Sequence, residues 1–277
     1  MTIPFSKYQG AGNDFIMIDQ RNASTLPEFT TERIAQLCDR RFGIGADGLI
    51  LLQNDSESDF LMQYYNSDGN ESSMCGNGGR CIVAFAKEVG CIHANETIFN
   101  AIDGLHEAVL YDGNIVDLKM SDVKKVEKID KFAFRLDTGS PHFVKFVEEI
   151  PSDVKSEGSA IRYSQPYRTI GINVNFVKRD GNSLRIATYE RGVEDETLAC
   201  GTGVTAAAIT SLANLSNGTF SLNVYAKGGK LTVRFTKHGD QNYSDIWLKG
   251  EAKKVFSGLV DLNLLDTSFS SQFSNHE

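Results

Sequence analysis

The chain lacks the short motifs that tie a sequence to a cofactor. There is no GxxxxGK[ST] phosphate loop and no HExxH pair, and Gly10-Ala11-Gly12 does not continue as GxGxxG. No lysine stands in an obvious pyridoxal context. Basic residues are in deficit, with 28 Lys and Arg against 36 Asp and Glu, a net charge of −8. An acidic chain attracts neither nucleic acid nor an anionic membrane surface, so neither is expected as a partner. No apolar run approaches the roughly 20 residues of a membrane span. The opening residues Met1–Lys7 have no apolar leader segment, which makes the cytoplasm the expected location. The five cysteines, at 38, 75, 81, 91 and 200, form no CxxC pair and no zinc-finger spacing. Neither disulfides nor a metal site is therefore expected.

What is present is an internal repeat. Met74-Cys75-Gly76-Asn77-Gly78 and Ala199-Cys200-Gly201-Thr202-Gly203 place a cysteine at the same point of a Gly-rich turn. The match extends upstream, where Tyr65-Asn66 and Glu71 precede the first turn and Tyr189-Glu190 and Glu196 the second. Each turn leads into an apolar stretch, Cys81 to Ala86 in one case and Val204 to Leu215 in the other. A helix with so little solvent face belongs inside its domain. Strands are expected at Phe15 to Ile18, Leu49 to Leu52, Phe60 to Tyr65, Ala108 to Tyr111, Ile115 to Met120 and His142 to Val147. Further strands are expected at Asn173 to Lys178, Ser183 to Tyr189 and Lys230 to Thr236. Thr30 or Thr31 can cap a helix carrying Ile34, Leu37 and Cys38, which would end in Arg40-Arg41-Phe42-Gly43. Asp153 to Tyr163 reads as a surface helix, and Ser268 to Glu277 as a frayed tail.

These features predict an α/β (α+β) protein of two similar halves, each a sheet wrapped around one buried helix. With 277 residues and 41% apolar content there is enough chain for both. The boundary is expected near Met120 to Lys125, giving a second half over 121–251.

Two thiols in matched turns suggest acid–base chemistry on one ligand. The residues after each cysteine open a helix, and its free N–H groups can hold a carboxylate. The same helix end is expected to lower a thiol pKa from about 8.5 to roughly 7. A thiol near neutrality can act as base and as acid in turn. Glu71 and Glu196 are candidates to support the thiols, but carboxylate charge so close could also raise a thiol pKa, and the sequence does not decide between the two. Cys38, Cys81 and Cys91 read as buried structural cysteines, the last at the start of a strand. Asn13 and Asn173 stand in turns before strands and look like a second piece of the duplication, and Asn66 and Asn77 lie beside the first cysteine. Amides can donate to carboxylates and accept from ammonium groups. Arg191 could fork a carboxylate and Glu190 receive an ammonium. His142, after Gly139-Ser140-Pro141, could orient a thiol.

In these residues the chain resembles the diaminopimelate epimerase family. The likeness runs from Gly10-Ala11-Gly12-Asn13-Asp14-Phe15 through Gly43–Gly48, Asn66–Gly69 and Met74–Cys81. It continues through Pro141-His142, Asn173–Val177, Glu190-Arg191-Gly192 and Glu196–Gly203 to Gly250-Glu251-Ala252. The resemblance implies interconversion of L,L- and meso-diaminopimelate, with no pyridoxal phosphate and no metal, on the way to lysine and peptidoglycan. It implies Cys75 and Cys200 as the acid/base pair, and Asn13, Asn66, Asn173, Glu190 and Arg191 as substrate contacts. Backbone N–H groups of Gly76-Asn77 and Gly201-Thr202 would grip the carboxylate at the reacting carbon, and His142 and Glu190 would tune the thiols. It further implies barrel-like sheets, a first half of 1–120 completed by about 252–277, and a homodimer through the region of Phe256. The chain departs from the family in having Ser140 where Asn is frequent, Gly48 where some members have Gln, and Ile172 where Pro is frequent. Its loop Gly192–Glu196 is also one residue longer than in some members. The alternatives are a proline- or hydroxyproline-type racemase, where Met-Cys-Gly-His tends to replace Met74–Asn77, and a non-catalytic amino-acid-binding or thiol-redox protein.

Overall fold

The computed structural model describes residues 1–22, 29–72, 74–239 and 241–264, so the Ser268–Glu277 tail lies outside the described residues. The strands are β1 (Thr2–Gly10), β2 (Asn13–Asp19), β3 (Gly48–Gln53), β4 (Phe60–Asn66), β5 (Glu96–Ala101) and β6 (Gly104–Tyr111). They continue as β7 (Ile115–Lys119), β8 (Val126–Lys128), β9 (Ala133–Asp137), β10 (Pro141–Phe146), β11 (Asn173–Asp180) and β12 (Ser183–Glu190). The last are β13 (Asp195–Thr197), β14 (Gly218–Ala226), β15 (Gly229–His238), β16 (Asn242–Glu251) and β17 (Lys253–Asp261). The helices are α1 (Thr31–Cys38), α2 (Gly76–Glu88), α3 (Val154–Arg162) and α4 (Gly201–Ser211).

Strand pairing repeats. From β1 to β7 successive partners are antiparallel, parallel, antiparallel, parallel, antiparallel and antiparallel. The series β9, β10, β11, β12, β14, β15, β16 runs through the same alternation. β7 and β16, the last strands of the two series, pair antiparallel and join them. β17 then returns to pair with β1. The result is the expected mixed α/β fold of two pseudo-symmetric halves.

This topology corrects one reading of the duplication. Asn13 opens β2, whose counterpart is β10 with Pro141 and His142. Asn173 opens β11, whose counterpart is β3 with Gly48. The two asparagines are not equivalent. Their similar surroundings reflect a common need, a turn residue ahead of an apolar strand.

The sheets close on α2 and α4. In α2 every residue from Gly76 to Ala86 is buried, and in α4 Gly201 and Gly203 to Ser211 are. Small side chains permit this approach. A Cβ at Gly78 would meet the Ile50 side chain at 3.0 Å, and one at Gly79 would meet Leu118 at 3.1 Å. Ile82 and Phe85 share one continuous core with Phe15, Phe60 and Phe99, and with Val204, Ile209 and Phe235 of the other half. The outer helices are amphipathic. α1 sets Ile34, Leu37 and Cys38 against Ile16, Leu49 and Leu51, and α3 sets Val154 against Val174 and Phe176.

Three boundaries differ from expectation. α1 stops at Cys38, because the Asp39 carboxylate takes the N–H groups of Arg41 and Phe42 and ends the helix before its basic residues. α4 stops at Ser211, where the Thr210 and Ser211 hydroxyls bond back to carbonyls of the preceding turn. Cys91 begins no strand; it follows the left-handed Gly90, and β5 opens only at Glu96.

If the two inner helices organise the core, truncating either should cost more than truncating an outer strand. Ile82→Ala and Ile209→Ala are each expected to lower stability by about 2–5 kcal/mol in urea unfolding, and Leu105→Ala, on exposed β6, by less than about 0.5 kcal/mol.

Candidate active site

Each repeated cysteine is the residue that starts an inner helix. Cys75 precedes α2 and Cys200 precedes α4, both in extended backbone, and neither side chain caps its helix. The N–H groups of each first turn therefore remain directed out of the helix end. The two ends meet. A Cβ on Gly201 would lie 3.7 Å from the Gly76 Cα and 2.9 Å from a Leu248 methyl. Glycine at both positions lets the two backbones touch.

A cleft of ≈ 930 Å³ opens over this junction. Both cysteines line it, as do Asn13, Asn66, Gly76, Asn77, Asn173, Glu190, Arg191, Gly201 and Thr202. Of the residues expected at the site, His142 and Glu71 do not. His142 is fully buried behind the wall, its Nδ1 3.0 Å from the Asn175 amide nitrogen. Burial, with the nearby Arg191 charge, holds its pKa down to about 3 despite that hydrogen bond. His142 is thus neutral at ordinary pH, and its recorded partner is Asn175, not a sulfur. Glu71 lies outside the cleft and accepts from Gln63, whereas Glu196 lines it and pairs with Lys227.

The thiols also differ from expectation. Burial is the largest influence on Cys75 and raises its pKa, and the Glu190 charge adds to this, outweighing the Gly78 and Asn77 N–H groups. Burial and Glu190 likewise push Cys200 up, against the Thr202 hydroxyl and the Gly203 N–H. The expected lowering by the helix ends is present but overcome. Glu190 is itself raised by burial, although it accepts a hydrogen bond from Thr197 at 2.9 Å.

Around Cys75 the polar groups form a chain. The thiol donates to Asn13 Oδ1 at 3.6 Å, and Asn13 Nδ2 donates to Asp47 Oδ2 at 2.6 Å. Asp47 is held in turn by Arg40, which also pairs with Asp14. Burial raises the Asp14 pKa, but Arg40 and Lys7 more than offset it and hold the carboxyl well below its usual range. In the other half the Cys200 sulfur lies 3.3 Å from the Thr202 hydroxyl. Asn173 donates to Ser140 Oγ at 2.7 Å and accepts from the Arg191 backbone N–H at 2.9 Å, so Ser140 serves as a partner for Asn173. Gly48 cannot present a side chain to the cleft, because a Cβ there would lie 2.4 Å from the Tyr65 carbonyl oxygen. Its neighbour Asp47 lines the cleft instead.

Sequence reasoning missed Arg40, Asp47, Arg80 and Asn175. Two of these carried a signal, since Arg80 interrupts an otherwise small and apolar helix and Asn175 lies inside the apolar run Val174–Val177. Asn175 also explains Gly203, where a Cβ would lie 2.4 Å from the amide oxygen.

Because the Glu190 charge disfavours both thiolates, removing it should favour them. Glu190→Gln is expected to move the pH midpoint of iodoacetamide alkylation at Cys75 and Cys200 downward. Mass spectrometry of the labelled peptides reads each thiol separately, and an unmoved or raised midpoint would refute the assignment.

Known proteins share this chain's sequence and fold. The family model described as diaminopimelate epimerase matches residues 5–126 and 134–255, one segment in each half. A diaminopimelate epimerase of Flavobacterium psychrophilum is 53% identical over 256 residues, covering 92% of this chain and 98% of its own. Among solved structures, a PhzF-family phenazine biosynthesis protein of Bacillus anthracis matches with a TM-score of 0.71 at 14% identity, covering 94% of this chain and 99% of its own. A probable proline racemase of Agrobacterium radiobacter matches with a TM-score of 0.67 at 15% identity, covering 96% and 94%. The likeness to the two structures carries the fold alone. With the family model spanning both halves and a relative identical at more than half the aligned positions, the chain belongs to the diaminopimelate epimerase family.

Proposed function

We propose that the protein interconverts L,L- and meso-diaminopimelate by a two-base reaction, with Cys75 and Cys200 as the base and the acid. The observation that carries this reading is the pair of cysteines that open α2 and α4, at the point where the two helix ends meet in one cleft. One thiolate removes the α-proton from one face of the carbon. The other thiol donates its proton to the opposite face. The carbon inverts, and the thiol and thiolate exchange places.

The α-carbon is a far weaker acid than a thiol, so negative charge in the transition state must be stabilised. The N–H groups of Gly76, Asn77, Gly201 and Thr202 receive the carboxylate as charge builds on it. The substrate ammonium offsets the Glu190 charge that holds the thiols protonated in the empty cleft, so binding favours the thiolate. Asn13, Asn66, Asn173, Glu190 and Arg191 hold the rest of the substrate, and His142 supports the second half as a neutral group behind Asn175. A rim that carries Arg40, Asp47, Glu190 and Arg191 suits a substrate charged at both ends better than it suits proline. A binder would not need two matched thiols. This reading assigns the protein to lysine and peptidoglycan precursor supply in the cytoplasm, where cysteines stay reduced.

With L,L-diaminopimelate, a thiol reductant and no pyridoxal phosphate, the meso isomer should accumulate on chiral chromatography. Cys75→Ala and Cys200→Ala should each lower kcat by about 10²- to 10⁴-fold. An undiminished rate in either variant would end the two-base reading, and turnover of proline instead would redirect the substrate.

The protein is further proposed to act as a homodimer through β17. Val255, Phe256 and Leu259 on this strand are 55%, 47% and 73% exposed, and the Phe256 ring packs edge-on against Phe5. Exposed apolar side chains on both faces of one strand support the reading that a second copy covers it. Phe256→Asp should convert a dimer into a monomer in light scattering at micromolar concentration; a monomeric wild type would contradict the proposal.

A further inference from the structure

Arg80 has no part in the proposed reaction, yet among the described residues it is the largest fully buried side chain. Among the described residues no carboxylate pairs with it. Its Nη1 donates to the Gly76 carbonyl at 3.0 Å and its Nη2 to Asn77 Oδ1 at 2.8 Å, while its Nε has no hydrogen-bond partner. The guanidinium occupies a slot left by two glycines. A Cβ at Gly10 of β1 would lie 3.5 Å from Nη2, and one at Gly250 of β16 would lie 3.0 Å from Nε. Strands from both series leave room for this one group.

The bond to Asn77 fixes which way that amide faces. With Oδ1 taken by Arg80, Nδ2 donates to the carbonyl of Ala199, the residue before Cys200, at 3.0 Å. The same Nδ2 lies 3.5 Å from Asn13 Oδ1, the atom that receives the Cys75 thiol. A flipped amide would set its oxygen against the Ala199 carbonyl and its NH2 against the guanidinium. Both contacts would repel.

We propose that Arg80 and Asn77 are positioning residues. Together they form a buried polar tie that holds the Cys75 end of α2 in register with the Cys200 end of α4. Burying a guanidinium without a carboxylate is costly, and an aliphatic side chain would fill the slot with less penalty. The geometry that Arg80 enforces accounts for its presence. The geometry stands by itself, but its kinetic consequence rests on the two-thiol reading above. Transfer of a proton between carbon and sulfur is sensitive to placement, whereas the helix-end N–H groups remain available for binding in either variant.

The test uses Asn77→Ala, Arg80→Met and Arg80→Ala. In Asn77→Ala and Arg80→Met, kcat should fall by about 10²-fold with KM within about threefold of wild type. Added guanidinium ion should restore kcat of Arg80→Ala severalfold, as a merely structural loss would not permit. A second readout needs no substrate. Diamide, a two-electron oxidant that takes up both thiol hydrogens, should join Cys75 to Cys200 severalfold faster once the tie is cut, because the sulfurs then sample shorter separations. If Arg80→Met fails to fold, Asn77→Ala decides. A folded Asn77→Ala with wild-type kcat and wild-type cross-linking rate overturns the proposal. If wild-type protein does not turn over diaminopimelate, the functional reading has failed, and an unchanged cross-linking rate would overturn the tie separately.

Discussion

The structure depends on one close approach, the contact of two helix N-termini at Gly76 and Gly201. Helix ends of the same polarity repel, and each leaves backbone donors unsatisfied. Bringing two of them together inside a protein is unfavourable unless the surroundings compel it. Here they do. Each helix is enclosed by its own half of one continuous sheet, the halves are joined through β7 and β16, and Leu248 of β16 seals the point of contact. Small residues along both helices let the strands close. The outcome is a cleft whose floor is a concentration of N–H donors with a thiol on each helix end, suited to a bound carboxylate.

The same burial sets the resting state of the thiols. A cysteine at a helix N-terminus tends toward the thiolate, but desolvation and the nearby Glu190 reverse that tendency in the empty cleft. Two buried thiolates side by side would repel, and keeping protons on the sulfurs until a cation arrives avoids this. Glu190 then has two linked effects. It disfavours both thiolates, and in the proposed reaction it receives an ammonium group whose charge lifts that restraint. Donors fixed in place before the substrate arrives need little reorganisation during the reaction.

Much of this was legible in the sequence. The repeated Cys-Gly-x-Gly turns, each ahead of an apolar stretch with little solvent face, announced two halves with an inner helix apiece. Thr30, one of two threonines offered as a cap, does start α1, and the helix expected from Asp153 is α3, which the Asp153 side chain caps. The strands with weak alternation were not legible. β17 is mostly exposed and takes its place from pairing with β1, a partner at the other end of the chain. The direction of the thiol shifts also escaped, because local sequence displays a helix end but not the depth of the cleft around it. Arg80 stood in plain view two residues beyond the repeat motif, yet its setting is made by Gly10, Gly250 and Asn77, whose amide is held in turn by Ala199, an arrangement that only the fold assembles. The apparent kinship of Asn13 and Asn173 misled for a related reason, since strings of similar residues do not reveal which strands occupy equivalent places.

The central claim is that two different groups handle the proton on the two faces of one carbon. The direct measurement is epimerisation of L,L-diaminopimelate in D2O, stopped at early conversion, with deuterium located by NMR and mass spectrometry. Two thiols acting from opposite faces predict deuterium at the α-carbon of the newly formed meso isomer and none in the recovered L,L substrate. Deuterium appearing equally in recovered substrate and product would mean that one group serves both faces, and would contradict the account.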